Sequence, residues 1–138
     1  MTALVDGTVG GLRLPDALLA AMRDGRWRAP AHEVLARVFD HEPDWPSFYG
    51  LDSIAGQNDP YQQWSAQELS KSLYIPRPGV GVDNTRSVII GDLGIDTPIV
   101  LDYRLDPARP RVLFLGDRDL GWREITVDIE TLISRLGL

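Results

Sequence analysis

Three β-rich runs in the second half of the chain, RSVIIG (86–91), TPIVLDYR (97–104) and RVLFLGD (111–117), restrict the topology more than any other feature of the sequence. The connections between them, GDLGID and LDPARP, are too short for a helical crossover, which needs about a dozen residues or more. Strands joined this way must be sequential neighbours, so the runs predict an antiparallel meander. A fourth run, GWREITV (121–127), adds a strand.

Around this meander the apolar period is helical. In LPDALLAAMRDGRW (14–27), Leu18, Leu19 and Met22 share a face, Pro15 suits a first turn and Gly25 can stop the helix. In APAHEVLARVFD (29–40), Val34, Leu35, Val38 and Phe39 form one stripe with Glu33 and Arg37 outside it, and the two segments read as an αα-hairpin. The last segment, VDIETLISRLGL (127–138), places Asp128 as N-cap, Val127 and Leu132 at hydrophobic-staple spacing, and Gly137 past the end. Its apolar positions Ile129, Leu132, Ile133 and Leu136 lie on one face. Helices, sheet and terminal helix in that order predict a segregated α+β fold. A length of 138 residues fits one domain over 1–138. The expected architecture is an N-terminal helical hairpin, a central antiparallel sheet of about four or more strands and a C-terminal amphipathic helix.

Between these parts, Pro43, Pro46, Pro60, Pro76 and Pro78 interrupt any long element, with room for a short helix over 65–71. This stretch holds Trp45, Tyr49, Tyr61, Trp64 and Tyr74, so it is aromatic-rich irregular chain that should pack on the domain. Aromatic side chains set among prolines and polar residues either fill core or anchor an interface.

Several chemistries are excluded by residue type. The chain has no cysteine, which removes disulfides, iron–sulfur clusters, thiolate zinc sites and cysteine nucleophiles. The first residues, broken by Asp6 and glycines, lack the basic start and apolar run of a signal peptide, and no stretch approaches the ~18 apolar residues of a membrane span. A cytoplasmic protein without membrane attachment is expected. The net charge of −6 opposes a nucleic-acid partner and favours a basic protein one.

Catalytic motifs are missing as well. There is no G-x-S-x-G elbow, and Gly79-Val80-Gly81 does not make a phosphate loop. His32 and His41 are nine residues apart and do not have the i, i+4 spacing of a shared metal site. Asp92, Asp96 and Asp102 form the one carboxylate cluster; they do not follow a calcium-loop pattern, and Asp and Gly between strands are ordinary turn formers. No cofactor or metal and no catalytic residue is therefore expected. The candidate residues are those of a partner-binding surface: Trp45, Tyr49, Asp59, Tyr61, Trp64, Asp92 and Asp96.

Taken in order, LRLPDALLAAMRDGRWRAP, IGDLGIDTPIVLDYR, PRVLFLGD, Trp122 and DIETLISRLGL resemble the SUKH superfamily, named for the yeast Smi/Knr cell-wall synthesis regulator and bacterial immunity proteins. Leu14-Pro15, Gly91-Asp92, Gly94, Leu101-Asp102 and Trp122 occupy the places of that family's pattern. Many relatives carry a second Gly-Asp around the turn, where this chain reads Gly94-Ile95-Asp96-Thr97. The resemblance implies a non-enzymatic α+β domain that binds protein, with bacterial members commonly neutralising a cognate toxin. The expected function is an immunity protein that occludes a basic toxin domain; the alternative is an intracellular scaffold or regulatory adaptor like the yeast relatives. Oligomeric state is open, with a monomer as the default.

Overall fold

The computed structural model describes residues 6–63, 82–116 and 121–138. A hairpin of β1 (Thr8–Val9) and β2 (Leu12–Arg13) leads into helices α1 (Asp16–Arg23) and α2 (His32–Phe39). Strand β3 (Ser47–Phe48) and helix α3 (Ile54–Gln63) follow. The chain then runs through β4 (Ser87–Asp92), β5 (Pro98–Asp102), β6 (Arg111–Phe114) and β7 (Arg123–Thr126) to helix α4 (Ile129–Leu136). The main sheet has the order β3-β4-β5-β6-β7 with every neighbouring pair antiparallel, so the fold is α+β.

The meander required by the short connections is present as β4 to β7. Strand β3 is a fifth member that the sequence did not signal, because two residues are too few to establish a period of two. The short helix expected over 65–71 lies outside the described residues.

Alternation sorts the strand residues between two cores. Val88, Ile90, Ile99, Leu101, Val112 and Phe114 face a large apolar cluster that receives Leu18, Leu19, Leu35, Phe39, Leu132 and Leu136 from the helices. Their neighbours Val100, Leu113 and Leu115 point the other way, into a smaller cluster with Tyr61, Val82 and Trp122. The two N-terminal helices, expected as an αα-hairpin, each pack against α4, so their shared packing partner is the C-terminal helix.

Local signals explain the helix ends. Pro15 precedes α1 with φ −58° and ψ 144°, and Gly25 breaks away after it at φ 75°. Asp128 caps α4: its Oδ1 accepts from the Thr131 N–H at 2.8 Å and from the Thr131 hydroxyl at 2.6 Å. Gly137 closes the same helix in a left-handed conformation at φ 75°. Val127, expected to staple onto Leu132, is instead 61% exposed.

One ionic network is built into the sheet. The Asp102 side chain, at the end of β5, is wholly buried and accepts from Arg104 Nε at 2.9 Å, Arg104 Nη2 at 3.1 Å and Arg111 Nε at 2.9 Å. Burial alone would raise its carboxyl pKa, but the hydrogen bonds from Arg104 and Arg111 together outweigh that and hold it below the usual carboxylate value. This carboxylate fastens β5 to β6 and does not belong with Asp92 and Asp96.

Candidate functional site

The chain between α2 and β3 is shaped by its prolines. Asp40 ends α2 in a left-handed conformation, and Pro43 and Pro46 bracket Asp44 and Trp45. Trp45 itself has φ 59°, a backbone state that costs an L-residue about 1–2 kcal/mol, and its side chain is 88% exposed. A large apolar side chain held at the surface on strained backbone is a feature of binding sites more than of cores.

A second loop meets this one. After β4, the Leu93 N–H bonds to Thr97 O at 3.1 Å and the Thr97 N–H to Gly94 O at 3.4 Å, which closes a turn over 93–97. Ile95 projects from it with 93% of its surface exposed, and Asp96 follows at φ 60°. The Asp44 N–H donates to Leu93 O at 2.6 Å, so the two loops are tied backbone to backbone.

Two glycines make that approach possible. A Cβ on Gly94 would stand 2.6 Å from Asp44 O, and one on Gly91 would stand 2.7 Å from Ser47 O, both too close for any other residue to fit without movement. Gly91 faces Phe48, and Asp92 faces Ser47, in the β3–β4 register.

Asp92 acts within this junction. The Tyr49 hydroxyl donates to its Oδ2 at 2.6 Å. Burial pushes the Asp92 carboxyl above its usual value while the Tyr49 bond opposes the shift, and burial also pushes the Tyr49 phenol up, with the Asp92 bond adding to it. Both side chains are half-buried, so they brace the platform from which Trp45 and Ile95 project.

Trp45 lines two cavities. One, of about 400 Å³, is lined by Asp44, Trp45, Ser47, Asp92, Gly94 and Ile95. The other, of about 490 Å³, is lined by Pro43, Asp44, Trp45 and Pro46 together with Ala29, Pro30 and His32. Carboxylates are the charged groups of the first cavity.

Of the residues expected at a partner surface, Trp45, Tyr49, Asp92 and Asp96 therefore come together. Tyr61 does not: it is 1% exposed, its hydroxyl lies 2.6 Å from Ser87 Oγ, and it fills the second core. It cannot anchor a partner; the proline beside it marks the middle of α3 and not an exposed loop. Asp59 is exposed on α3, where it accepts from Gln63 Nε2 at 3.0 Å, in a depression that shares no residue with the Trp45 cavities. Trp64 lies outside the described residues. Ile95 and Asp44 were missed; the available signal was an isoleucine inside a Gly-Asp turn, where a polar residue is the ordinary choice.

Among the described residues no three metal-ligating side chains come together, and no helix is long and apolar enough to cross a membrane. His32 is exposed and lines the second cavity, whereas the His41 ring packs edge-on against Phe114 at 5.4 Å. No protein-family model, no curated protein and no solved structure matches this chain.

Proposed function

We propose that this chain is a cytoplasmic, non-enzymatic protein-binding domain, similar to SUKH immunity proteins, that occludes the active surface of a basic toxin domain. The observation that carries the reading is the pair of Trp45 and Ile95, 88% and 93% exposed, standing on two mutually tied loops beside the carboxylates of Asp44, Asp92 and Asp96. Exposed aromatic anchors supply binding energy when a partner covers them, and surrounding carboxylates speed the approach of a basic partner. The net charge of −6 extends the same complementarity over the whole molecule. A toxin nuclease, whose substrate cleft must be basic, has the matching surface.

The test begins with tagged pull-down from the native host and continues with binding kinetics of the captured toxin. Trp45→Ala should weaken binding by about 2 kcal/mol or more, chiefly through faster dissociation. Asp96→Asn should slow association and reduce its salt dependence. Wild-type kinetics in Trp45→Ala would remove this surface from the interface.

A further inference from the structure

The cavities beside Trp45 belong to a longer groove. The first and second share Asp44 and Trp45, and the second shares Ala29 and Pro30 with a third cavity, of about 540 Å³, lined by Arg26, Arg28, Ala29, Pro30, Gly137 and Leu138. Each has the size of a small-ligand pocket, so each can admit a side chain and not merely a water.

The groove changes chemical character along its length. At the Trp45 end its charged lining side chains are Asp44 and Asp92; at the far end, which Gly137 and Leu138 also line, they are Arg26 and Arg28. Arg26 is paired with Asp24 at 3.1 Å, whereas no ion pair among the described residues engages Arg28. The middle is mostly apolar, made by Ala29, Pro30, Pro43, Pro46 and the Trp45 ring, with His32 as the polar side chain between the two charged ends.

Proline in the walls also selects the mode of recognition. Pro30, Pro43 and Pro46 have no N–H, so these walls are poor in the backbone donors that a visiting β-strand requires. They suit an extended or polyproline-II segment that packs its side chains on apolar walls and is fixed by charges at its ends. The wall over residues 26–30 is pinned from behind by buried Trp27, whose ring lies 4.5 Å from that of Phe48 and whose Nε1 donates to Ile90 O at 3.4 Å.

We infer that the groove from Asp44 and Trp45 to Arg28 receives one extended segment of the partner, with a basic side chain at the Asp44–Asp92 end and a carboxylate at the Arg28 end. The inference rests on the reading of Trp45 as a partner contact and adds to it the form and polarity of what is bound. Charge complementarity at the two ends, with mostly apolar lining shared between them, is what commits the groove to this occupant.

The probe is a phage-displayed random peptide library panned on wild-type protein, with the selected peptides then synthesised and measured on Trp45→Ala and Arg28→Glu. Both substituted side chains are exposed, so both variants should fold as the parent does. Selected peptides should combine proline with Arg or Lys on one side and Asp or Glu on the other. Each variant should weaken their binding about tenfold or more. Loss in Trp45→Ala with none in Arg28→Glu would overturn the groove assignment and leave Trp45 as a partner contact. Binding untouched by either variant would overturn the groove assignment, while the reading of Trp45 as a toxin contact stands or falls with the toxin kinetics of Trp45→Ala. Failure to enrich any peptide would overturn the extended-segment form. A concentration-dependent dimer abolished by both variants would put a second copy of the chain in the groove and overturn it as well.

Discussion

Asn58 of α3 meets Ile89 of β4 with both ends of its amide: Nδ2 donates to Ile89 O at 2.8 Å and Oδ1 accepts from the Ile89 N–H at 2.7 Å. The side chain does what a neighbouring strand would do, on a part of the β4 edge that two-residue β3 leaves uncovered. Asn58 is fully buried and also donates to Ile54 O at 2.9 Å. Asn58→Leu keeps the branched shape, though not the volume, and strands a part-buried donor and acceptor of Ile89, so it should cost about 3 kcal/mol in urea unfolding. A change below about 0.5 kcal/mol would show that this edge is satisfied by other means.

The Asp102 network makes a prediction about acid. Because the folded-state carboxyl is held below its usual value, its contribution to stability is fully present above the ordinary carboxylate pKa. It is lost as pH falls through the lower folded value, when Arg104 and Arg111 lose their charged partner. Asp102→Asn should therefore destabilise the protein at neutral pH, by about 3–5 kcal/mol as for other broken buried pairs. It should also flatten the fall in melting temperature across the acid range. An unchanged acid slope in the variant would assign the acid sensitivity to other carboxylates.

Two substitutions probe α4. Leu132→Ala removes a fully buried side chain of the main core and should cost about 2–5 kcal/mol. Asp128→Ala removes the oxygen that accepts from Thr131 and should cost about 1 kcal/mol. Thermal melts separate the two, and equal effects would contradict the assignment of one residue to core and the other to a cap.

Trp45→Gly tests whether the exposed indole is kept at the expense of stability. Glycine relieves the left-handed strain of about 1–2 kcal/mol, set against the roughly 0.5–1 kcal/mol of added unfolded-state freedom. Since little Trp45 surface is buried, the variant should be as stable as the parent or up to about 1 kcal/mol more so, yet weaker in partner binding. A clear loss of stability by denaturant unfolding would make Trp45 a packing residue.

The legible parts of the chain were those that carry a period. Val88, Ile90, Ile99, Leu101, Val112 and Phe114 alternate with their neighbours, and Ile129, Leu132, Ile133 and Leu136 recur at helical spacing, so the meander and α4 were visible. Strands of two residues, such as those at Thr8 and Ser47, have no period to read. Tyr61 and Tyr49 looked alike in sequence, since each lies near a proline. Only the placement of α3 against β4 buries one, while the β3–β4 register leaves the other bracing Asp92. Ile95 became a surface feature through the turn geometry of Gly94, which no pattern of apolar residues encodes.

The pairing of β3 with β4 has a kinetic consequence. Strands β4 to β7 are joined by short connections and can zip up by local contacts, whereas Phe48 must find Gly91 across all of α3 and the chain that follows it. Closing a loop of that length costs entropy before any contact is made, and a two-residue ladder with a few bonds beside it returns less than the long β4–β5 pairing does. Folding is therefore expected to complete at this junction. The junction should also be among the first to open in native-state hydrogen exchange, with the Tyr49 amide, bonded to Ile90 O at 3.0 Å, exchanging ahead of those in β5. The surface offered to a partner would then be the last part of the molecule to assemble, and a bound partner would slow its opening.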